Sequence, residues 1–352
     1  MTFVNTERRT LLKASLAPLL LAFLGREAEA APLSETTAIR VIQTRDPART
    51  LELVQAPGFA RSLAQATLAF VIENYATGNL PVWKKPLGQV DLHARIPQIA
   101  THVIQGVIRH AAIYPVDPCW IMAQMMAESF FHEFAVSSAL AVGPCQFMAP
   151  TARGYGMICA DAHGMPSGST RRPDLEPEFK LAEAAREQSR ALRREQPDLF
   201  NNPSKLLRTV LNAQASGTPL PSAGTLALAL DRMDLVQAQY AQARDNCRMY
   251  LEENFRGRSI FDSADAAFFE RFDQRVLYAH SIGAMVRMMA EHMRARRGNI
   301  LAAAAGYNSG LGNTEAKSGV YALYGRIPSF GETVDYVSKI VVNHHEISRR
   351  ME

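Results

Sequence analysis

The chain has 352 residues, 47% hydrophobic and 20% charged, so it can bury a sizeable core as one large domain or two ordinary ones, and it is a globular protein. Its net charge of +4 is mild, and no basic run is interleaved with aromatic residues, which argues against nucleic acid and is compatible with an anionic polymer. Cys119, Cys145, Cys159 and Cys247 lack the spacing of a zinc site and leave three disulfide pairings, or buried free thiols, open.

Residues 1–30 read as a signal peptide. Glu7-Arg8-Arg9-Thr10-Leu11-Leu12-Lys13 precedes an apolar run from Ala14 to Leu24, and Ala28-Glu29-Ala30 forms a small-x-small cleavage site. Eleven apolar residues are too few for a bilayer, which needs about 20. The paired arginines resemble a twin-arginine signal; an ordinary Sec signal or an uncleaved anchor is the alternative. No cysteine follows the cleavage site and no later stretch is long enough to span a membrane, so a soluble periplasmic protein without a membrane anchor in its mature form is expected. Cleavage removes four basic and three acidic residues and lowers the net charge by one.

Strand signals are scarce and helical periodicity is widespread, so an all-α fold is predicted. Residues 31–92 form an N-terminal helical segment, with a helix over Pro57–Asn79 and a loop over Leu80–Leu92 containing Pro81 and Pro86. Ile96–Ala112 follows as an amphipathic helix with Ile99, Val103, Ile104 and Val107 on one face. Asp117 caps the next helix, whose first residue, Pro118, lacks only an N–H that would have no partner there; it runs to about His132. At ~100° per residue, Ile121, Met125 and Glu128 lie within roughly 60° of one another, so a carboxylate projects from the apolar side. Burial there raises its pKa. A glutamate ion-paired with an arginine would suit the same position. Glu133 sits ~140° around a regular helix from Glu128 and cannot share its site.

Glu128 to Ala152, ESFFHEFAVSSALAVGPCQFMAPTA, resembles the catalytic core of soluble lytic transglycosylases, whose pattern is roughly E-S-S-F-x-P-x-A-V-S-x-x-G-A-x-G-L-M-Q-x-M-P-x-T-A. Glu128, Ser137, Gly143, Gln146 and Met148 fall in register without a gap. Leu140 stands at a glycine position, Pro144-Cys145 replaces Leu-Met, and the proline of M-P-x-T-A is displaced to Pro150. Farther on, AAAAGYNSGLGN (302–313) and IPSFGETVDYVSKI (327–340) resemble the family's A-A-Y-N-A-G and P-x-x-E-T-x-x-Y-V segments.

The resemblance implies a lysozyme-like transglycosylase domain split into residues 93–170 and 266–352, acting on peptidoglycan glycan strands with no metal or organic cofactor. Between the parts, residues 171–265 read as a helical insertion rich in Ala, Gln, Arg and Glu and punctuated by Pro197, Pro203 and Ser216–Ser222, with an envelope-protein partner as one possible use. Ile282, Met285, Met289 and Met293 form a helix face within Phe272–Gly298 and read as core filler. His132-Glu133 and His344-His345 lack metalloprotease spacing and read as surface or packing residues.

Cleaving a β-1,4 glycosidic bond usually takes two carboxylates, and Glu128 is the one strong candidate. The family resemblance implies a single glutamate acting first as acid and then as base, with the substrate's N-acetyl group in place of the second carboxylate. Ser137 and Gln146 would then bind the N-acetyl region, and Met148 would line the sugar wall. Tyr307 and Asn308 would approach from the opposite side, and Glu332 and Tyr336 would close the groove. A hydrolytic muramidase and a catalytically idle glycan-binding scaffold are the rival readings. Cys145 is expected to pair with Cys159, which lies just beyond the same loop.

Overall fold

The computed structural model describes residues 47–162, 165–316 and 322–351, and the export signal expected over residues 1–30 lies outside them. Among the described residues the secondary structure is helical, with no β-strand, and no helix is long and apolar enough to cross a membrane. The fold is all-α.

The chain opens with α1 (Pro47–Gln55) and α2 (Phe59–Asn74), so the expected 57–79 helix begins two residues later and ends five residues earlier. Asp91 caps α3 (Leu92–His110) by accepting from the Ala94 N–H. The face with Ile99, Val103, Ile104 and Val107 is buried, as the periodicity predicts. α4 (Pro118–Ser129) starts where predicted: the Asp117 carboxylate accepts from the Cys119 N–H at 2.8 Å, and its other oxygen holds His344 at 2.8 Å. Every residue from Pro118 to Met126 is buried, Gln124 among them, so α4 is the central helix, enclosed on all sides. It packs on α3 and on α13 (Gly331–Ser348).

α4 ends at Ser129, short of the expected His132. Phe130 and Phe131 both turn left-handed, with φ of 54° and 64°. Such a conformation costs roughly 1–2 kcal/mol per residue. Both rings are fully enclosed in the core, which offsets that cost. α5 (Ala149–Gly154) follows the loop that carries Gln146.

The expected insertion holds α6 (Glu178–Glu195), α7 (Pro197–Phe200), α8 (Pro203–Ala215) and the 33-residue α9 (Ala223–Phe255). α6 and α9 pair along their lengths through small clusters such as Ala185, Leu192, Met233 and Val236. The base of α9 is different. Tyr250, Leu251 and Phe255 join Phe268, Phe269 and Phe272 of α10 (Ser263–Phe272) in a core that also buries Val142.

α11 (Tyr278–Ala295) packs on α3 with Ile282, Met285, Met289 and Met293 fully buried, as core filler. α12 (Ile300–Ser309) bridges α11 and α13. His132 stacks on Trp83, His344 is buried and His345 is exposed, in keeping with surface and packing roles. All four cysteines are free and buried, so the expected Cys145–Cys159 disulfide is absent. Cys145 contacts Ser281 of α11, whereas Cys159 lies near the Ala149 carbonyl, so the two thiols serve different patches of core.

Candidate active site

The α4 helix, the loop 135–148, α12 and α13 enclose a cavity of about 440 Å3. Glu128, Ser137, Gln146, Met148, Tyr307, Asn308, Glu332 and Tyr336 all line it, although the last four lie some 160 to 210 residues farther along the chain. Residues that lie far apart in sequence converge because α13 packs along α4 and carries Glu332, Asp335, Tyr336 and Lys339 on one face.

Glu128 is the last-but-one residue of α4, half-buried at the cavity wall. Burial raises its carboxyl pKa to about 8, and the Tyr336 hydroxyl, donating to Oε1 at 2.5 Å, opposes that rise only in part. The carboxyl is therefore protonated at neutral pH. Tyr336 is itself buried, and burial together with the Glu128 charge drives its own pKa up, so it stays a donor.

The other expected residues are held by their own bonds. Ser137 Oγ accepts from the N–H groups of Ala139 and Ala141, which leaves its proton free to donate. Gln146 spends its amide nitrogen on the carbonyls of Ala135 and Gly143, at 3.3 and 2.8 Å, so its amide oxygen is the group left for a ligand. The Tyr307 hydroxyl donates to the Cys145 carbonyl at 2.7 Å: its polar end braces the Gln146 loop and its ring lines the cavity. The Thr333 hydroxyl donates to Asn308 Oδ1 at 2.8 Å, which leaves the Asn308 side-chain amide nitrogen, Nδ2, as a donor. Glu332 is exposed at the rim.

The loop is built on strained backbone. Gln146 has φ of 49° and Leu140, at the family's glycine position, has φ of 66°. That conformation explains the family's glycine; Leu140 adopts it at a cost and packs its side chain against the second core and against the Ala182, Ala243 and Cys247 cluster. Gly143 has no such latitude. Its φ is 85°, and a Cβ there would meet the Arg275 carbonyl oxygen at 2.0 Å.

Three supports went unread in the sequence. Arg275 is buried and donates to both oxygens of buried Asp273, at 2.9 and 2.6 Å, and to the Phe147 carbonyl at 3.1 Å, so a paired cation pins the loop from behind. Trp83 donates its indole N–H to the Phe130 carbonyl at 2.8 Å and stacks on His132 at 3.9 Å, fixing the turn after α4. Glu133 is buried in an ion pair with Arg95 at 2.5 Å. It is excluded from the cavity as expected, but because the helix has ended and Arg95 holds it, not because of its angle around a helix. A D-x-R triplet or a lone Trp carries no signal by itself; of the other lining residues, Thr151 falls in register with the family motif, whereas Asp335 and Lys339 were legible at best from the helical spacing after Glu332.

Among comparisons with known proteins, residues 106–171 match the family model described as the transglycosylase SLT domain. No curated protein and no solved structure matches the chain. The match covers Glu128, Ser137, Gln146 and Met148, whereas Tyr307, Asn308, Glu332 and Tyr336 fall outside it and join the site through tertiary packing alone. The match to the transglycosylase SLT domain is therefore confined to residues 106–171, the stretch in which the sequence resembles soluble lytic transglycosylases.

Proposed function

We propose that the protein is a periplasmic peptidoglycan lytic transglycosylase that cleaves the β-1,4 bond between N-acetylmuramic acid and N-acetylglucosamine and leaves a 1,6-anhydro-N-acetylmuramic end. The observation that carries this reading is a Glu128 carboxyl raised to about 8 by burial in a cavity lined by an SLT-type loop.

In this mechanism Tyr336 donates to Oε1, so the proton of Glu128 sits on the other oxygen and passes to the glycosidic oxygen as the anomeric C–O bond breaks. The substrate's N-acetyl oxygen bonds to the anomeric carbon in its place. The Gln146 amide oxygen and the Ser137 hydroxyl, both in the lining, orient that acetamido group. Glu128, now an anion in a desolvated position, takes the proton of the 6-hydroxyl; O6 attacks the anomeric carbon and the acetamido group is released. Glu128 ends protonated, and no water is consumed.

Export through residues 1–30 by the twin-arginine route completes the reading. Glu332 and Asp335 at the rim are the carboxylates that a hydrolytic muramidase would recruit, so the chemistry of the products decides between the two. Mass analysis of fragments released from purified peptidoglycan should find ends lighter by one water than reducing N-acetylmuramic acid. Reducing ends would identify a muramidase, and release of nothing by wild-type protein would leave a binding scaffold.

A further inference from the structure

Gln124 carries the one amide side chain in the buried run Pro118–Met126, and it is fully enclosed. It lies one turn before Glu128 on the same face of α4. α4 and α13 run antiparallel, with Asp117 meeting His344 at one end and Glu128 meeting Tyr336 at the other, so Gln124 lies level with the turn of α13 that follows Tyr336. Among the described residues, neither the oxygen nor the nitrogen of its amide completes a hydrogen bond. The Gln124 side chain nevertheless acts on the Tyr336 hydroxyl and favours negative charge there, whereas burial, Glu128 and Tyr307 oppose it. The group aimed at the Tyr336 oxygen is therefore the amide N–H.

An amide that completes no hydrogen bond in a core costs free energy, and an apolar side chain of the same size would remove that cost. What Gln124 faces changes during the reaction. At rest Glu128 is protonated. Once its proton has passed to the glycosidic oxygen it is an anion, which draws the Tyr336 O–H toward Oε1 and makes the Tyr336 oxygen a stronger acceptor. A donor already aimed at that oxygen needs no reorganisation at that moment. Resting on the proposed reading of the Glu128 cavity, we propose that Gln124 is a positioning residue: its amide N–H completes a hydrogen bond to the Tyr336 oxygen when Glu128 becomes an anion, and keeps the Tyr336 proton on Oε1. The other ionisable groups around Glu128 are Cys145 of the loop and Tyr307 of α12, both kept protonated by burial, and Glu332, Asp335 and Lys339, exposed in the lining on α13. Lys339 is bound to Asp335 at 3.1 Å.

The test is titration of the Glu128 carboxyl by carboxyl-carbon NMR, with Glu128→Gln identifying its signal, which does not depend on turnover. Gln124→Met should move the midpoint upward by about half a pH unit, the scale of one net hydrogen bond, and the alkaline fall in kcat/KM should move with it. In a Tyr336→Phe background the same substitution should move neither. Gln124→Leu repeats the measurement with a different side-chain shape, and urea unfolding should find both variants at least as stable as wild type, because the unmatched amide is gone. A midpoint that stays in place in both variants, or that moves equally with and without the Tyr336 hydroxyl, would overturn the proposal and leave Gln124 a core residue. Product analysis on wild-type protein stays separate: release of nothing from peptidoglycan would remove the reaction assignment, while the carboxyl titration would still decide whether Gln124 acts on Glu128 through Tyr336.

Discussion

The α4 helix and the α6–α9 pair are both helical, but they treat charge in opposite ways. α4 buries every residue from Pro118 to Met126, and its one acid, Glu128, is forced up to about 8. α6 buries only Ala182, Ala185 and Leu192, and its charges lie in solvent, some of them paired, as with Glu187 and Arg194. A charge in the first region has chemistry because water cannot solvate it. In the second, a charge is worth little to the fold and is available to a ligand.

Glu128→Gln presses hardest on the buried side of that comparison. Turnover on peptidoglycan should fall by about 10² to 10⁴, the range that a general acid–base contributes, with the fold retained. Stability should move the other way. The wild-type carboxyl is raised from near 4.5 to about 8 on folding, so wild-type stability is fully present below pH 4.5 and declines as pH rises toward 8. Glu128→Gln escapes that decline and should be more stable by up to about 3 kcal/mol at pH 7 and by less than about 1 kcal/mol at pH 5. Equal urea midpoints at both pH values would show that the carboxyl is not desolvated.

Arg275→Met attacks the same region from behind the loop. It strands buried Asp273 without its partner, and breaking such a pair costs about 3–5 kcal/mol, measured by urea unfolding. Gly143→Ala should cost at least about 2 kcal/mol, because the new methyl group collides with backbone at a left-handed position. A midpoint unchanged in both variants would mean that the loop is not clamped there.

Tyr336→Phe sharpens the comparison by altering Glu128 without removing it. The lost hydrogen bond, worth about 1.5–3 kcal/mol when one partner is charged, had been lowering the Glu128 pKa. The carboxyl should then stay protonated to higher pH, and the alkaline fall in kcat/KM, centred near 8 in wild type, should move upward. A fall that stays in place or moves down would contradict the Tyr336–Glu128 contact.

The smallest effect belongs to the solvated side. α8 buries no residue, and Leu207 and Leu211 are each 58% exposed. Replacing residues 203–215 with a short linker, which spares the Phe200 contact on the Leu192–Met233 cluster, should change stability by no more than about 0.5 kcal/mol. Removing all of 171–265 should unfold the protein, since Tyr250, Leu251 and Phe255 belong to a core shared with α10 and with Val142 of the 135–148 loop. An insertion that could be deleted whole without loss of the fold would break the comparison at its base.

The sequence by itself determined the helical class, the capped start of α4 at Pro118, the buried faces of α3 and α11, and the placement of Glu128 on an apolar side, because these follow from periods and caps that act within a few residues. The register of Ser137, Gln146 and Met148 was legible as a local motif. Only the tertiary structure decided where α4 stops, which buried cation supports the loop, that Cys145 and Cys159 stay apart, and that Glu332 and Tyr336 meet Glu128. Each depends on contacts across more than a hundred residues or on burial that offsets local strain. Local propensity cannot encode a left-handed Phe130 or a buried Asp273–Arg275 pair. Their energies are set by the neighbours that enclose them.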